Sequence, residues 1–225
     1  MRKIIVGAQV SLDGVMQSPG GKSEDPTAGF AFGGWVMPYS DEVFGEEITR
    51  IFTDFDLLLG RKTYEIFAAY WPFYDASADD GGIATTFDRV MKYVVSGSGE
   101  VDTAWQNSTL LRTIDDVRRL KATDGPDLVT QGSTVLVQAL LAADLVDAIS
   151  VFTIPVVLGG GKRLFADGSA PHAFKLTRSR VSSRGVIIGH YERDGDVEVV
   201  DAMLTTPNDR ERARQQRLQR EGAKP

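Results

Sequence analysis

Residues 56–65 read Asp-Leu-Leu-Leu-Gly-Arg-Lys-Thr-Tyr-Glu, a short apolar run that breaks at a glycine into two cations and a hydroxyl. Three successive leucines fit a strand buried on both faces, as in a parallel sheet. Gly60-Arg61-Lys62-Thr63 then opens a helix, gathering backbone N–H groups, Arg61, Lys62 and the Thr63 hydroxyl at one strand end. That combination suits a pyrophosphate or a 2′-phosphate. Taken alone the signal is weak, because Arg-Lys at a helix start is commonly a solvated pair.

Working outward, the same strand-then-turn pattern recurs. Residues 3–10 (KIIVGAQV) are a nearly continuous apolar run ending at Ser11-Leu12-Asp13-Gly14, which reads as a central strand. Residues 91–95 (MKYVV) form a strand closed by Ser96-Gly97-Ser98-Gly99. Residues 127–130 (DLVT) form another, and Gln131-Gly132-Ser133-Thr134 starts a helix over 134–143. Between the first two strands lies a Gly/Pro/Ser-rich loop, 14–40, carrying Phe30, Phe32, Trp35 and Tyr39. A loop this long inside a compact domain is commonly functional, and its aromatics favour a packed, ligand-facing segment. Ser40 is the expected N-cap of the next helix, with Asp41 and Glu42 in its first turn and Val43, Phe44, Ile48, Ile51 and Phe52 on its apolar face. Thr113-Ile114-Asp115-Asp116 resembles a capping box opening a helix to about residue 122. Residues 146–154 are a strand, and 174–184 with 186–193 pair as a hairpin turning at Ser183-Arg184-Gly185.

This order predicts an α/β fold whose mostly parallel central sheet ends in a C-terminal antiparallel hairpin. One domain over 1–200 is expected, followed by a charged tail, 201–225, that is either an exposed helix or disordered.

Composition narrows the function. The chain has 225 residues, no cysteine and two histidines, His172 and His190. Disulfides, thiolate nucleophiles and Cys-ligated metals are therefore excluded, and a histidine-rich metal site is not expected. Both histidines read as structural or exposed. A net charge of −6 argues against a general nucleic-acid binder. No apolar run approaches the ~20 residues that span a bilayer. The N-terminus lacks the pattern of a signal peptide, so the cytoplasm is the expected location. The expected partners are a small-molecule substrate and, among macromolecules, at most a second copy of the chain in a homodimer, with neither nucleic acid nor membrane.

Other nucleotide motifs fail. Gly161-Lys162 is followed by Arg163 and has Val156 where a P-loop needs glycine; Gly97-Ser98-Gly99 continues to Asp102, not to a third glycine; no GxSxG elbow occurs. What remains is three small-residue turns at three strand ends, where ligands bind in open α/β sheets. Ser96 and Ser98 offer hydroxyls to an adenosine ribose. Gly132 allows close approach at a second helix start.

At these residues the sequence resembles the dihydrofolate reductase-like superfamily, in particular the branch of the riboflavin-biosynthesis reductase, the C-terminal domain of the bacterial bifunctional deaminase-reductase. The resemblance runs from about residue 3 to 193. It rests on Ser11-Leu12-Asp13-Gly14, Trp35-Val36-Met37-Pro38, Leu59 to Glu65, Lys92 to Ser96, Gln131-Gly132-Ser133, Leu145-Val146-Asp147 and Pro155 to Phe165. It implies a dihydrofolate reductase-like three-layer fold and NADPH along the strand ends. Gly60, Arg61, Lys62 and Thr63 would hold phosphates, Ser96 and Ser98 the ribose, and Gly132, Ser133 and Thr134 the pyrophosphate. Backbone at Ala8 and near Val15 would meet the nicotinamide carboxamide. Asp13, Trp35, Leu158 and Gly159 would border the substrate pocket.

Three positions depart from the families' patterns. Dihydrofolate reductases place a carboxylate two residues after the proline of W-x-x-P, where this chain has Ser40, with Asp41 one step late. Riboflavin-pathway reductases carry a lysine after S-x-D-G and a glutamate before the glycine pair, where this chain has Val15 and Gln131. The implied activity is hydride transfer from NADPH to a C=N or C=O carbon of a small heterocycle, with Asp13 hydrogen-bonding substrate or relaying a proton. Asp13 also reads as a plain turn acceptor before Gly14, Trp35 as core, and Asp41 as helix-start electrostatics. A non-catalytic NADP- or pterin/folate-like ligand-binding protein is the alternative, and a flavin-dependent reductase the third reading.

Overall fold

β1 (Ile4–Ser11) lies near the middle of an eight-stranded sheet whose order is β4-β3-β2-β5-β1-β6-β8-β7. The computed structural model describes residues 1–74, 82–202 and 206–222. The other strands are β2 (Phe55–Gly60), β3 (Lys92–Val95), β4 (Ser108–Leu111), β5 (Asp127–Gln131), β6 (Ala148–Ile154), β7 (Phe174–Val181) and β8 (Ile187–Arg193). β1 to β6 run parallel, and β8 is antiparallel to both β6 and β7. The sheet is the predicted one, with β4 as an addition. That four-residue edge strand has no fully buried residue and so carries no apolar signal of its own.

Alternation along the buried strands assigns the helices to two faces. Ile4, Val6, Ala8, Leu58, Leu128 and Ile149 face one way, against α4 (Ile114–Lys121) and α5 (Thr134–Ala142). Leu57, Leu59, Val129, Phe152, Ile154 and Ile188 face the other, against α1 (Glu42–Ile51), α2 (Arg61–Tyr70) and α3 (Ile83–Arg89). The result is the expected three-layer arrangement, helices over both faces of one sheet.

Local signals fix the helix ends. Thr113 and Asp116 complete the predicted capping box of α4. Ser40 does not cap α1: it closes a 3-10 turn over Met37–Tyr39, and Asp41 accepts the Phe44 N–H at 2.9 Å instead. α3 is additional to the predicted helices; it has seven residues and follows Gly82 at its N-cap, with no side-chain cap.

Residues Met1–Gly195 form one compact unit. Asp196–Pro225 form a second, so the boundary falls a few residues before the expected 200. The second unit carries a helix, α6 (Asp209–Gly222), with no buried residue. Among the described residues no helix is long and apolar enough to cross a membrane.

Candidate functional site

Because β1, β2, β3 and β5 are parallel, their carboxyl ends share one edge of the sheet. The central event there is a parting of strands. β5 pairs with β1 only as far as Gly7 opposite Gln131, and a last 3.4 Å bond runs from the Gly132 N–H to the Gly7 carbonyl. Ala8–Ser11 run on beyond it beside β6. A crevice between diverging parallel strands is where such sheets bind ligands.

On either side of the chain reversal the starts of α2 and α5 are stitched together. The Gly60 N–H donates to Ser133 Oγ at 2.9 Å, and the Ser133 N–H donates to Thr63 Oγ1 at 3.1 Å. Both hydroxyls thus act as acceptors toward the protein, which leaves each one proton to donate outward. Gly132 and Ser133 take left-handed backbone angles, φ 71° and 57°. For the serine this is strained, a feature that clusters at functional sites. Gly60, Thr63, Gly132, Ser133 and Thr134 therefore stand together, as the sequence predicts. Arg61 follows at the first position of α2, but both oxygens of Glu65 hold it at 2.9 and 3.0 Å. Lys62 is exposed beside it.

Ser96 and Ser98 lie at the end of β3, their hydroxyls 3.2 Å apart. Here the structure adds a residue that the sequence did not single out. Arg112, directly after β4, donates to the Ser98 carbonyl at 3.3 Å, and its guanidinium covers the space a side chain at Gly99 would fill. The signal is obscured because β4, which positions Arg112, has no buried residue to mark it as a strand.

The substrate-side residues are placed less simply. Asp13 accepts hydrogen bonds from Ser11 Oγ at 2.6 Å, the Leu158 N–H at 3.1 Å and the Gly159 N–H at 2.9 Å, with Arg163 3.9 Å away. The Ser11 hydroxyl and then the Leu158 N–H hold its carboxyl well down, at about 2. A group so held is ionised near neutrality, and its two backbone bonds make it a clamp on the 158–159 loop. Trp35 is buried, donating its indole N–H to the Gln17 carbonyl at 2.9 Å, and packs with Phe44 and Phe152 in the α1-side core. Asp41 accepts from the Phe44 N–H and from Ser183 Oγ at 2.8 Å, and those bonds lower its carboxyl. Ser40 is exposed next to it.

Two backbone positions shift. The carbonyls of Lys3 and Gly7 accept from β5-side N–H groups, whereas Ile4 and Leu12 bond on the β6 side. The ladder's alternation therefore turns Ala8 toward β6, and Gln9 is the residue whose backbone faces the crevice. Val15 gives its N–H to Ser11 Oγ and its carbonyl to the Ser11 N–H, which leaves one carbonyl lone pair for any ligand.

The descriptive model of the RibD C-terminal domain matches residues 2–188. The chain belongs to the RibD C-terminal domain family. A relative is the uncharacterized protein YyaP of Bacillus subtilis (strain 168), 27% identical over 197 residues, covering 86% of this chain and 96% of YyaP. Among solved structures, a Shewanella sp. PV-4 protein assigned provisionally to riboflavin biosynthesis is 20% identical, with a TM-score of 0.58, covering 85% of this chain and 99% of its own. Dihydrofolate reductase from Enterococcus faecalis, complexed with NADP(H) and RAB-propyl, is 13% identical with a TM-score of 0.55, covering 85% and 96%. The RibD C-terminal domain of this chain thus has the dihydrofolate reductase-like fold, and the crevice at Gly7 and Gln131 lies within the matched residues.

Proposed function

We propose that the chain is an NADPH-dependent reductase that delivers hydride to a C=N or C=O carbon of a small heterocycle. The observation that carries this reading is the stitched pair of helix starts, Gly60-Thr63 with Gly132-Thr134, beside the parting of β1 and β5. Two helix N-termini pool their unpaired N–H groups and dipoles, and the Thr63 and Ser133 hydroxyls add outward donors. That donor set fits a pyrophosphate. Arg61, Lys62 and Arg112 would hold a 2′-phosphate near Ser96 and Ser98, and the backbone of Gln9 would meet a carboxamide in the crevice. Among solved structures of this fold, the Enterococcus faecalis reductase was complexed with NADP(H), which supports the choice of cofactor.

When bound, NADPH supplies a hydride to the electrophilic carbon and leaves as NADP⁺, while the adjoining nitrogen or oxygen takes one proton. The chain's own part is to orient the reactants and exclude water. Asp13 holds the Leu158–Gly159 loop at the mouth of β1, and the core residues Trp35, Phe44 and Phe152 would back the substrate on the α1 side. Asp13 and Asp41 are both held ionised by their hydrogen bonds, so neither is the source of that proton. That neither of these two acids holds a proton favours a second reading, an NADP(H)-binding protein without turnover.

Calorimetric titration with NADPH and NADH tests the cofactor. Oxidation of NADPH against dihydrofolate, the ribosylamino-pyrimidine of riboflavin synthesis and small carbonyls tests the reaction. Tight NADPH binding without oxidation of any substrate supports the second reading, and no binding of either nucleotide refutes both.

A further inference from the structure

Five residues line up across the sheet in one register row: Gln131 on β5, Gly7 on β1, Ser150 on β6, His190 on β8 and Arg178 on β7. Above the row sits Glu47 of α1, fully buried. Arg178 meets its carboxylate at 2.7 and 3.2 Å, Arg180 at 3.3 Å, Arg50 at 3.2 Å and His190 Nε2 at 2.9 Å. On its other side His190 Nδ1 lies 2.8 Å from the Oγ of buried Ser150.

Hydrogen accounting fixes how this chain is wired. Arg178 above all, then His190, holds the Glu47 carboxyl down at about 2, so it is an acceptor only. His190 Nε2 must then carry a hydrogen. In neutral His190 the Nδ1 atom is left as an acceptor, and it takes the Ser150 hydroxyl hydrogen. In charged His190 both ring nitrogens donate, Nδ1 gives to Ser150 Oγ, and the Ser150 hydrogen has to turn away.

The acceptor available to it lies across Gly7. Gln131 Oε1 is buried with no hydrogen-bond partner, and it occupies the place where a side chain at position 7 would stand. Ser150 is one strand spacing, ~4.8 Å, further along. A turn of the Gln131 amide, or one bridging water, would close that gap. An orphaned buried acceptor is costly, so a donor arriving from Ser150 would be taken up.

We infer that Glu47, His190 and Ser150 form a hydrogen-bond switch that couples the charge of His190 to the crevice through Gln131. With His190 neutral, Gln131 Oε1 is left to accept an N–H from a bound ligand, such as a carboxamide or a ring amide. With His190 charged, Ser150 occupies that oxygen and the ligand loses its acceptor. The charged groups that act on His190 are Glu47 and Arg50 from α1 and Arg178 from β7, with Arg180 paired to Glu46 and Glu47 beyond them. Burial, opposed by Glu47, lowers the pKa of His190, so the switch turns on acidification below neutrality. The ligand's identity rests on the reductase reading; the switch itself does not.

Nuclear magnetic resonance on the free protein separates the two. With two histidines in the chain, the His190 Cε1 signal is assigned by comparison with His172. The Gln131 side-chain amide is expected to titrate with the midpoint of His190. In Ser150→Ala the histidine still titrates and the Gln131 amide no longer follows; Ser150→Thr, which keeps a hydroxyl, restores the coupling. The fall in NADPH affinity on acidification through the same midpoint should be about threefold to tenfold larger in the native chain than in Ser150→Ala, the worth of one neutral hydrogen bond, the titration of the 2′-phosphate itself being common to both. A Gln131 amide that ignores His190, or follows it unchanged in Ser150→Ala, overturns the switch. Coupled titration in a protein that binds no NADPH upholds the switch and refutes the reductase.

Discussion

Asp13 Oδ2 accepts the backbone N–H of Gly159 at 2.9 Å, a bond that joins the end of β1 to a loop 146 positions away in sequence. With the parallel bond from Leu158, it makes the carboxylate a two-point clamp at the mouth of the crevice. Asp13→Asn leaves one acceptor oxygen and sets an NH2 group against N–H donors. We expect a lower Tm and a kcat/KM reduced by about tenfold, while the Kd for NADPH stays unchanged. Enzyme assays, calorimetry and thermal melts on one preparation check this. An unaltered kcat/KM in a destabilised protein would make the clamp purely structural.

Cofactor choice is expected to depend on Arg112 and Arg61 in different ways. Arg112→Ala should weaken NADPH by about tenfold or more, given ~1.5–3 kcal/mol per charged hydrogen bond, and leave NADH untouched. Arg61 is already engaged by Glu65, on a half-exposed surface. Arg61→Ala should therefore cost less, and Glu65→Gln should tighten NADPH by releasing the guanidinium. All three effects should shrink as salt is raised. Equal affinity for both nucleotides, unchanged by Arg112→Ala, refutes the 2′-phosphate site.

The parts of this fold legible in one sequence are those written in buried apolar runs. β1 and β2 carry the apolar runs Ile4–Ala8 and Leu57–Leu59, the shorter β5 has only Leu128 and Val129, and the turn residues after all three fall where the runs end. β4 and α3 were illegible because they are short and half-exposed. Ser40 and Asp41 are both good caps, and only the 3-10 turn before them decides that Asp41 takes the role. The shift from Ala8 to Gln9 depends on which neighbour each β1 residue bonds, a property of partner strands rather than of β1. Asp13 was recognised as a site residue, yet its partners lie far along the chain, so its chemistry was not legible. Glu47 was readable in principle: it falls three residues after Phe44 and four before Ile51, on the buried stripe of α1.

That buried acid sets an expectation for stability. Glu47→Gln removes the charge that Arg178, Arg180 and His190 are arranged around, and breaking a buried pair on one side typically costs about 3–5 kcal/mol. Its pH dependence has a defined sign. The folded-state value near 2 lies below the ordinary 4.5, so the folded protein binds fewer protons than the unfolded chain between these values. Stability from Glu47 is thus full above about 4.5 and drains away as the pH falls toward 2. His190, whose value is also lowered, adds a loss that begins earlier, as pH falls below its ordinary 6.5. Denaturant midpoints measured against pH should fall in both windows for the native chain, and the lower one should flatten in Glu47→Gln.

Ser133 offers a test that separates the two ends of the proposed nucleotide. Its hydroxyl holds the Gly60 N–H, its own N–H is held by Thr63, and its backbone is left-handed. Ser133→Ala keeps the strained angle and loses the acceptor, so we expect a stability loss of about 1–2 kcal/mol from one unsatisfied N–H. If the stitched helix starts hold a pyrophosphate, the group common to both nucleotides, the same change should weaken NADPH and NADH by equal factors. Arg112→Ala, in contrast, should discriminate between them. Ser133→Gly serves as the control, since it loses the same hydroxyl but relieves the left-handed strain, which costs ~1–2 kcal/mol in residues with a Cβ. It should recover stability relative to Ser133→Ala without recovering affinity. A variant that weakens NADPH alone would place the 2′-phosphate at α5 and reverse the orientation proposed for the cofactor.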